Sequence, residues 1–258
     1  MKTISSRDNA AFKALSKLAT SSSERRRKGL SLIEGEHLLQ AVLDSGAQPE
    51  SIAVNPAALE NQAVARLLER SPARVTVLAD SLFKALSAVE SPTGIIAVVK
   101  TPGPKKVPAT APLVLLLEDI QDPGNVGTLL RSAAAAGAGH VLLSERCAFA
   151  WSPKVLRSAM GAHFALNIVE GADLAAFMGT YRGTSIALSA DAQTSLYDLD
   201  LRETVAFVVG NEGAGLSEGL KAAATRRARI PMPGRTESLN AAVAGSVCLF
   251  EAIRQRHE

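Results

Sequence analysis

Apolar and polar positions change their spacing several times along the chain, and each change marks an element. Residues 9–19 set Ala11, Phe12, Leu15 and Leu18 on one side with Lys13 and Lys17 between them, which predicts an amphipathic helix. The stretch SSSERRRKG that follows reads as a loop or helix start carrying three successive arginines. Residues 30–35 (LSLIEG) predict a strand, and the next segment predicts a helix stopped by Gly46. Short strands at 51–54, 74–78 and 94–99 alternate with helices at 62–70 and 80–89, the latter with Asp80 placed as its N-cap. Strand and helix thus alternate through residues 1–100, the mark of a compact α/β domain.

Residues 101–112, TPGPKKVPATAP, hold four prolines and a glycine and predict a linker. Beyond it the pattern changes. Residues 113–117 are apolar without alternation, as in a strand buried on both faces of a parallel sheet. The run breaks at Asp122-Pro123-Gly124, a turn by composition, and Asn125 leads into a helix that stops at Gly137. Further strands are predicted at 140–144, 164–169, 184–190 and 204–210, with helices near 153–161, 173–181 and 216–225. A second short strand after the glycine-rich turn is expected to end at Ile230-Pro231-Met232. The final helix, 239–256, places Leu239, Val243, Val247, Phe250 and Ile253 along one face. Residues 113–258 therefore read as a second α/β domain.

Charge adds a partner class. Residues 1–28 carry eight Lys/Arg against two acidic residues, a net of +6, whereas residues 113–258 come to −2. A basic end on a nearly neutral body suggests a surface for a polyanion, with Arg25, Arg26, Arg27 and Lys28 as candidate nucleic-acid contacts. The two cysteines and four histidines show no ligand spacing, so no metal site is expected. The longest apolar run is far too short to span a bilayer, and residues 1–27 have no apolar signal core; no membrane association is expected, and a cytoplasmic location is.

Several chemistries are disfavoured by missing motifs. No Gly-x-Gly-x-x-Gly follows the first strand of the second domain, which weakens a dinucleotide-dependent oxidoreductase. No P-loop and no nucleophile elbow occur. What remains are polar residues at strand-to-helix junctions: Asn125, Arg131 near the second turn of its helix, Glu212, Ser238 and Asn240. Singly, each has an ordinary structural explanation, Asn125 and Ser238 as N-caps and Arg131 as a surface charge. Together, beside the glycine-rich strand end at Gly210, they point to a small-molecule pocket.

The stretches DIQDPGNVGTLLRSAAAAG (119–137), FVVGNEGAGLS (207–217) and RIPMPGRTESLNAAVA (229–244) resemble the three ordered motifs of the SpoU/TrmH branch of the SPOUT superfamily. These are S-adenosylmethionine-dependent RNA ribose 2′-O-methyltransferases. The resemblance spans residues 113–258, and SSERRRKGLSLIEGEHLL resembles that family's N-terminal substrate-binding domain. It implies a C-terminal α/β knot, a deep trefoil with a mostly parallel sheet, which is a rare exception to unthreaded chains. A smaller ribosomal-protein-like α/β domain would precede it. It implies S-adenosylmethionine as cofactor, bent among backbone groups at Leu188, Ser189, Gly210, Ile230, Pro231, Met232 and Leu239. It casts Arg131, Asn125, Glu212, Ser238 and Asn240 as the catalytic set. It further implies structured RNA, ribosomal RNA first, as substrate, and a homodimer formed through the last helix and the helix after Asn125. Where many relatives carry an aromatic residue before Gly137, this chain has Ala136. The same chemistry on transfer RNA, and a non-catalytic RNA-binding or ribosome-assembly protein, stay open as alternatives.

Overall fold

The computed structural model describes the whole chain except Ala88, Glu90, Ser91, Glu237, Glu258 and the side chain of Lys2. Its residues form two compact units, Met1–Gly103 with Trp151–Phe164, and Pro104–Ala150 with Ala165–Glu258.

The first unit holds β1 (Lys2–Ile4), α1 (Ala10–Thr20), α2 (Ser22–Lys28), β2 (Leu30–Glu34), α3 (Glu36–Asp44), β3 (Ser51–Val54), α4 (Gln62–Glu69), β4 (Arg74–Leu78), α5 (Asp80–Leu86) and β5 (Ile95–Lys100). Its mixed sheet runs β1-β4-β3-β5-β2, with β1 and β3 parallel to β4, and β2 and β3 antiparallel to β5. Phe12 and Leu18 of α1 and Leu82, Phe83 and Leu86 of α5 are buried with Leu32, Leu78 and Ile96 of the sheet. Two sequence expectations change here. Asp80 is the first helical residue of α5 rather than its cap, and Ala79 stands at the cap without a side-chain bond. The helix expected through Val89 ends at Leu86, and Ala88 lies outside the described residues.

The second unit adds β6 (Leu113–Leu117), α6 (Pro123–Ala135) and β7 (His140–Leu143). The chain then makes an excursion through α7 (Pro153–Ala159) and returns as β8 (Asn167–Val169), α8 (Leu174–Thr180), β9 (Thr184–Leu188), β10 (Val205–Val209), α9 (Glu218–Ala223), β11 (Arg226–Ala228) and α10 (Ala241–His257). The excursion was expected to belong with its sequence neighbours. It clusters instead with the first unit, where Val155, Leu156 and Ala159 are buried and Trp151 meets His163 with ring centroids 4.8 Å apart. Apolar patterning identifies the helix but not the unit it packs on.

The second sheet is parallel throughout, in the order β11-β9-β10-β6-β7-β8. β6 and β10 lie side by side at its centre in the register Val205↔Leu113 to Val209↔Leu117, and all ten residues are buried. From β6 the chain builds outward through β7 and β8, then crosses to the other side for β9 and β10. Open α/β sheets bind ligands at the carboxyl ends of their strands, and here a crevice lies beyond the ends of β9, β10 and β11.

The proline-rich stretch is fastened to this unit rather than free. Asn167 accepts from the Lys105 N–H and donates to the Lys105 carbonyl, both at 2.8 Å, and the Tyr181 hydroxyl donates to the Ala111 carbonyl. On the opposite face α10 lies along α6. Gly245 makes this closeness possible, because a Cβ there would meet Leu129 Cδ2 at 2.4 Å. Ser132 and Ser246 hydrogen-bond between the two helices at 2.7 Å. No described helix is long and apolar enough to cross a membrane.

Candidate active site

The crevice is built by three chain segments leaving β9, β10 and β11. After β10 the backbone doubles back: Asn211 and Gly215 exchange main-chain hydrogen bonds at 3.1 and 2.9 Å. Only glycine fits at 210, since a Cβ would come 2.4 Å from the Gly215 carbonyl carbon, and Gly215 sits at φ +70°. Asn211 locks the turn. Its Oδ1 accepts from the Gly213 and Ala214 N–H groups, and its Nδ2 donates to the Asp119 carbonyl at 2.9 Å. Asp119 presents that carbonyl from a left-handed backbone, φ +55°, and its carboxylate is held by Ser144 and Arg146. Sequence reasoning missed both residues. The glycines around Asn211 signal the turn, but nothing local marks Asp119.

The pocket has a volume of about 400 Å³. Of the expected cofactor residues, Leu188, Ser189, Gly210, Ile230, Met232 and Leu239 line it, and Pro231 does not. The strand expected to end at 230–232 is shorter: β11 stops at Ala228, and Arg229 makes only an isolated bridge with Ser195. That early stop has a consequence. Among the described residues, the main-chain N–H groups of Gly210, Ile230, Met232 and Leu239 have no hydrogen-bond acceptor, although all four residues line the pocket. Backbone donors are normally satisfied, so a row of open ones in a cavity is a place for ligand acceptors.

The catalytic candidates divide. Glu212 and Ser238 line the pocket. Asn125 and Asn240 do not line it, but they brace Glu212. Asn125 Nδ2 donates to Glu212 Oε1 at 2.7 Å, and Asn240 Nδ2 donates to Asn125 Oδ1 at 3.0 Å. The chain of three side chains ties the start of α6, the turn after β10 and the start of α10. Asn125 is not a cap, because Asp122 accepts from the Asn125 N–H at 2.8 Å and caps α6 itself. Asn240 does cap, accepting from Ala242 and Val243 at 2.9 and 3.2 Å while it bonds Asn125. Arg131 is the ninth residue of α6, in its third turn rather than its second, and is exposed. It does not line the pocket, and among the described residues its guanidinium has no hydrogen-bond or ion-pair partner. Glu237, inside the third motif, lies outside the described residues.

In the first unit the basic set is corrected at one position. Arg25 is only 5% exposed, and its Nη1 donates to the Leu18 and Ala19 carbonyls at 2.5 and 3.2 Å, closing the end of α1. An arginine whose donors serve a helix terminus is not offered to a phosphate. Arg26, Arg27 and Lys28 face solvent, the last two paired with Glu24 at 2.8 and 3.0 Å. Lys28 first, then Arg27, hold the Glu24 carboxyl below its ordinary range. Among the described residues no cluster of three or more His, Cys, Asp or Glu side chains suits a metal ion.

Residues 112–250 match the model of the SpoU rRNA methylase family. The chain belongs to that family, as an RNA ribose 2′-O-methyltransferase. Its fold is therefore the family's α/β knot. Residues 9–97 match the MRM3-like substrate binding domain. A Bacillus subtilis relative named 23S rRNA (guanosine(2553)-2′-O)-methyltransferase RlmP is 34% identical over 97% of this chain and 98% of its own length. A crystal structure of an RNA 2′-O ribose methyltransferase shares 30% identity with a TM-score of 0.87, over 99% of this chain and 100% of that one. The SpoU methyltransferase AviRb of Streptomyces viridochromogenes, in complex with AdoMet, superposes with a TM-score of 0.88 at 26% identity, over 96% of this chain and 98% of its own.

Proposed function

We propose that this chain methylates one ribose 2′-hydroxyl of large-subunit ribosomal RNA, with S-adenosylmethionine held in the pocket at the ends of β9, β10 and β11. The observation that carries the reading is the row of open main-chain donors at Gly210, Ile230, Met232 and Leu239 in a cavity of about 400 Å³. That size lies within the range of small-molecule sites. Ring nitrogens and a carboxylate are the acceptors such donors require, and adenosine and methionine supply both. When bound, the cofactor supplies an electrophilic methyl group on a sulfonium.

The protein's part is alignment. An in-line displacement gains most of its rate from fixed approach geometry. Asn125 and Asn240 hold the Glu212 carboxylate at the pocket, where it accepts from the target ribose or from Arg131. Ser238, on the loop before α10, adds a hydroxyl at the same rim. Arg131 serves as a cation that binds the target nucleotide's phosphate and polarises its 2′-hydroxyl.

A homodimer completes the reading. The last helix begins at Ala241 rather than 239, and on it Val243 and Phe250 are each 49% exposed, an apolar stripe on a helix that covers the site's own sheet. A second copy laid on that stripe removes it from water. Arg26, Arg27 and Lys28 of the first unit give the RNA backbone its electrostatic hold. Ribose-methylation mapping of total RNA from cells with and without this gene tests the substrate. One 2′-O-methyl mark should vanish from large-subunit ribosomal RNA; loss of a mark from transfer RNA alone would move the substrate there.

A further inference from the structure

Loop residues 189–191, at the end of β9, carry a carboxylate on the pocket wall that no motif singled out. Asp191 lines the pocket together with Ser189 and Lys221. The Ser189 hydroxyl donates to one of its oxygens, and Arg227 Nη2 donates to the other at 2.9 Å. Lys221, itself bonded to Glu218 at 2.8 Å, is the nearby second cation. Hydrogen bonds from Ser189 and then Arg227 keep the Asp191 carboxyl below its ordinary range, so it is ionised throughout the neutral region.

Each oxygen of this carboxylate has one donor from the protein and retains accepting capacity. What could fill it is limited by the neighbours. Arg227 offsets Asp191 and Glu218 offsets Lys221, so the cluster carries no net charge to draw in an ammonium group. A neutral donor needs none. A vicinal diol, with two hydroxyls spaced to meet two carboxylate oxygens, is the matching neutral group.

We propose that Asp191 binds the ribose hydroxyls of the cofactor, fixed in place by Ser189 and Arg227. The inference rests on the pocket being the S-adenosylmethionine site. It also assigns the orientation of the bound molecule: ribose toward β9, amino-acid portion away from the Asp191–Arg227 pair.

Calorimetry on the full chain tests it with three probes: S-adenosylmethionine, S-adenosylhomocysteine and 5′-methylthioadenosine, which keeps the ribose and lacks the amino acid. Asp191→Asn should weaken all three alike, by roughly tenfold or more, as expected for loss of charge-assisted hydrogen bonds. Its thermal melt without ligand should match the parent, since Asp191 is at the surface. Weakening of the first two with 5′-methylthioadenosine unchanged would mean that Asp191 meets the amino-acid end, and overturns the proposal. Unchanged binding of all three overturns it as well. If the unsubstituted chain binds none of the probes, the cofactor reading itself fails, an outcome distinct from either.

Discussion

Asn125 shows how a residue's role is decided by where one side chain goes. Its place after Asp-Pro-Gly suits a helix cap, but Asp122 takes that position, leaving the Asn125 amide to join Asn240 to Glu212. Position in the sequence placed Asn125 at the site; only the fold separates capping from bracing. Asn125→Ala should therefore loosen Glu212 without unfolding α6, lowering kcat by about tenfold or more with little change in melting temperature. Arg131 has the opposite profile, with no partner among the described residues and no wall of the pocket to hold. Arg131→Ala should cut turnover by about a hundredfold or more while the cofactor Kd stays within about threefold, read by single-turnover kinetics and calorimetry. Gly210→Ala tests the pocket itself. With a Cβ 2.4 Å from the Gly215 carbonyl carbon, the turn must shift, at a cost of about 1–3 kcal/mol, and cofactor binding should fall below detection. Arg25 marks the limit of reading charge from sequence. Three arginines in a row look alike until α2 turns one of them onto the end of α1.

Among the elements, β6 and β10 were legible because continuous apolar runs have few other homes, and both are buried along their whole length. β1 was not, since three residues cannot show an alternation; it is fixed by pairing with β4, Lys2↔Thr76 to Ile4↔Leu78. β11 is short and begins with two arginines, so pattern alone extended it to the apolar residues beyond. That difference matters for function, because the backbone at Ile230 and Met232 is open where a longer strand would have paired it. α10 had a readable apolar stripe, but pattern does not say which stripe meets the core. The buried side is Ala241, Ala242, Gly245, Cys248, Leu249 and Ala252, while Val243 and Phe250 point outward. Replacing both Val243 and Phe250 with Asp should convert the proposed dimer to a folded monomer, seen as halved mass in sedimentation equilibrium with unchanged far-UV circular dichroism. A parent chain that is already monomeric at micromolar concentration would remove the dimer from the account.

At the scale of the molecule, the boundary between the two units is crossed three times rather than once, because Trp151–Phe164 folds with the first unit. Deleting residues 1–103 therefore does not excise a domain cleanly. It strands Trp151, Val155, Leu156 and Ala159 without the residues that bury them, and the shortened chain should aggregate unless the excursion is removed too. The proposed division of labour, RNA capture by the first unit and methyl transfer by the second, stands or falls on one chemical event. The direct measurement of that event is transfer of label from methyl-tritiated S-adenosylmethionine to ribosomal RNA stripped of its own marks, followed by alkaline digestion. The account expects label in an alkali-resistant dinucleotide, since a methylated 2′-oxygen cannot attack the adjacent phosphodiester, and none with Arg131→Ala. Label recovered on a base, or undiminished transfer by the Arg131→Ala chain, would contradict it.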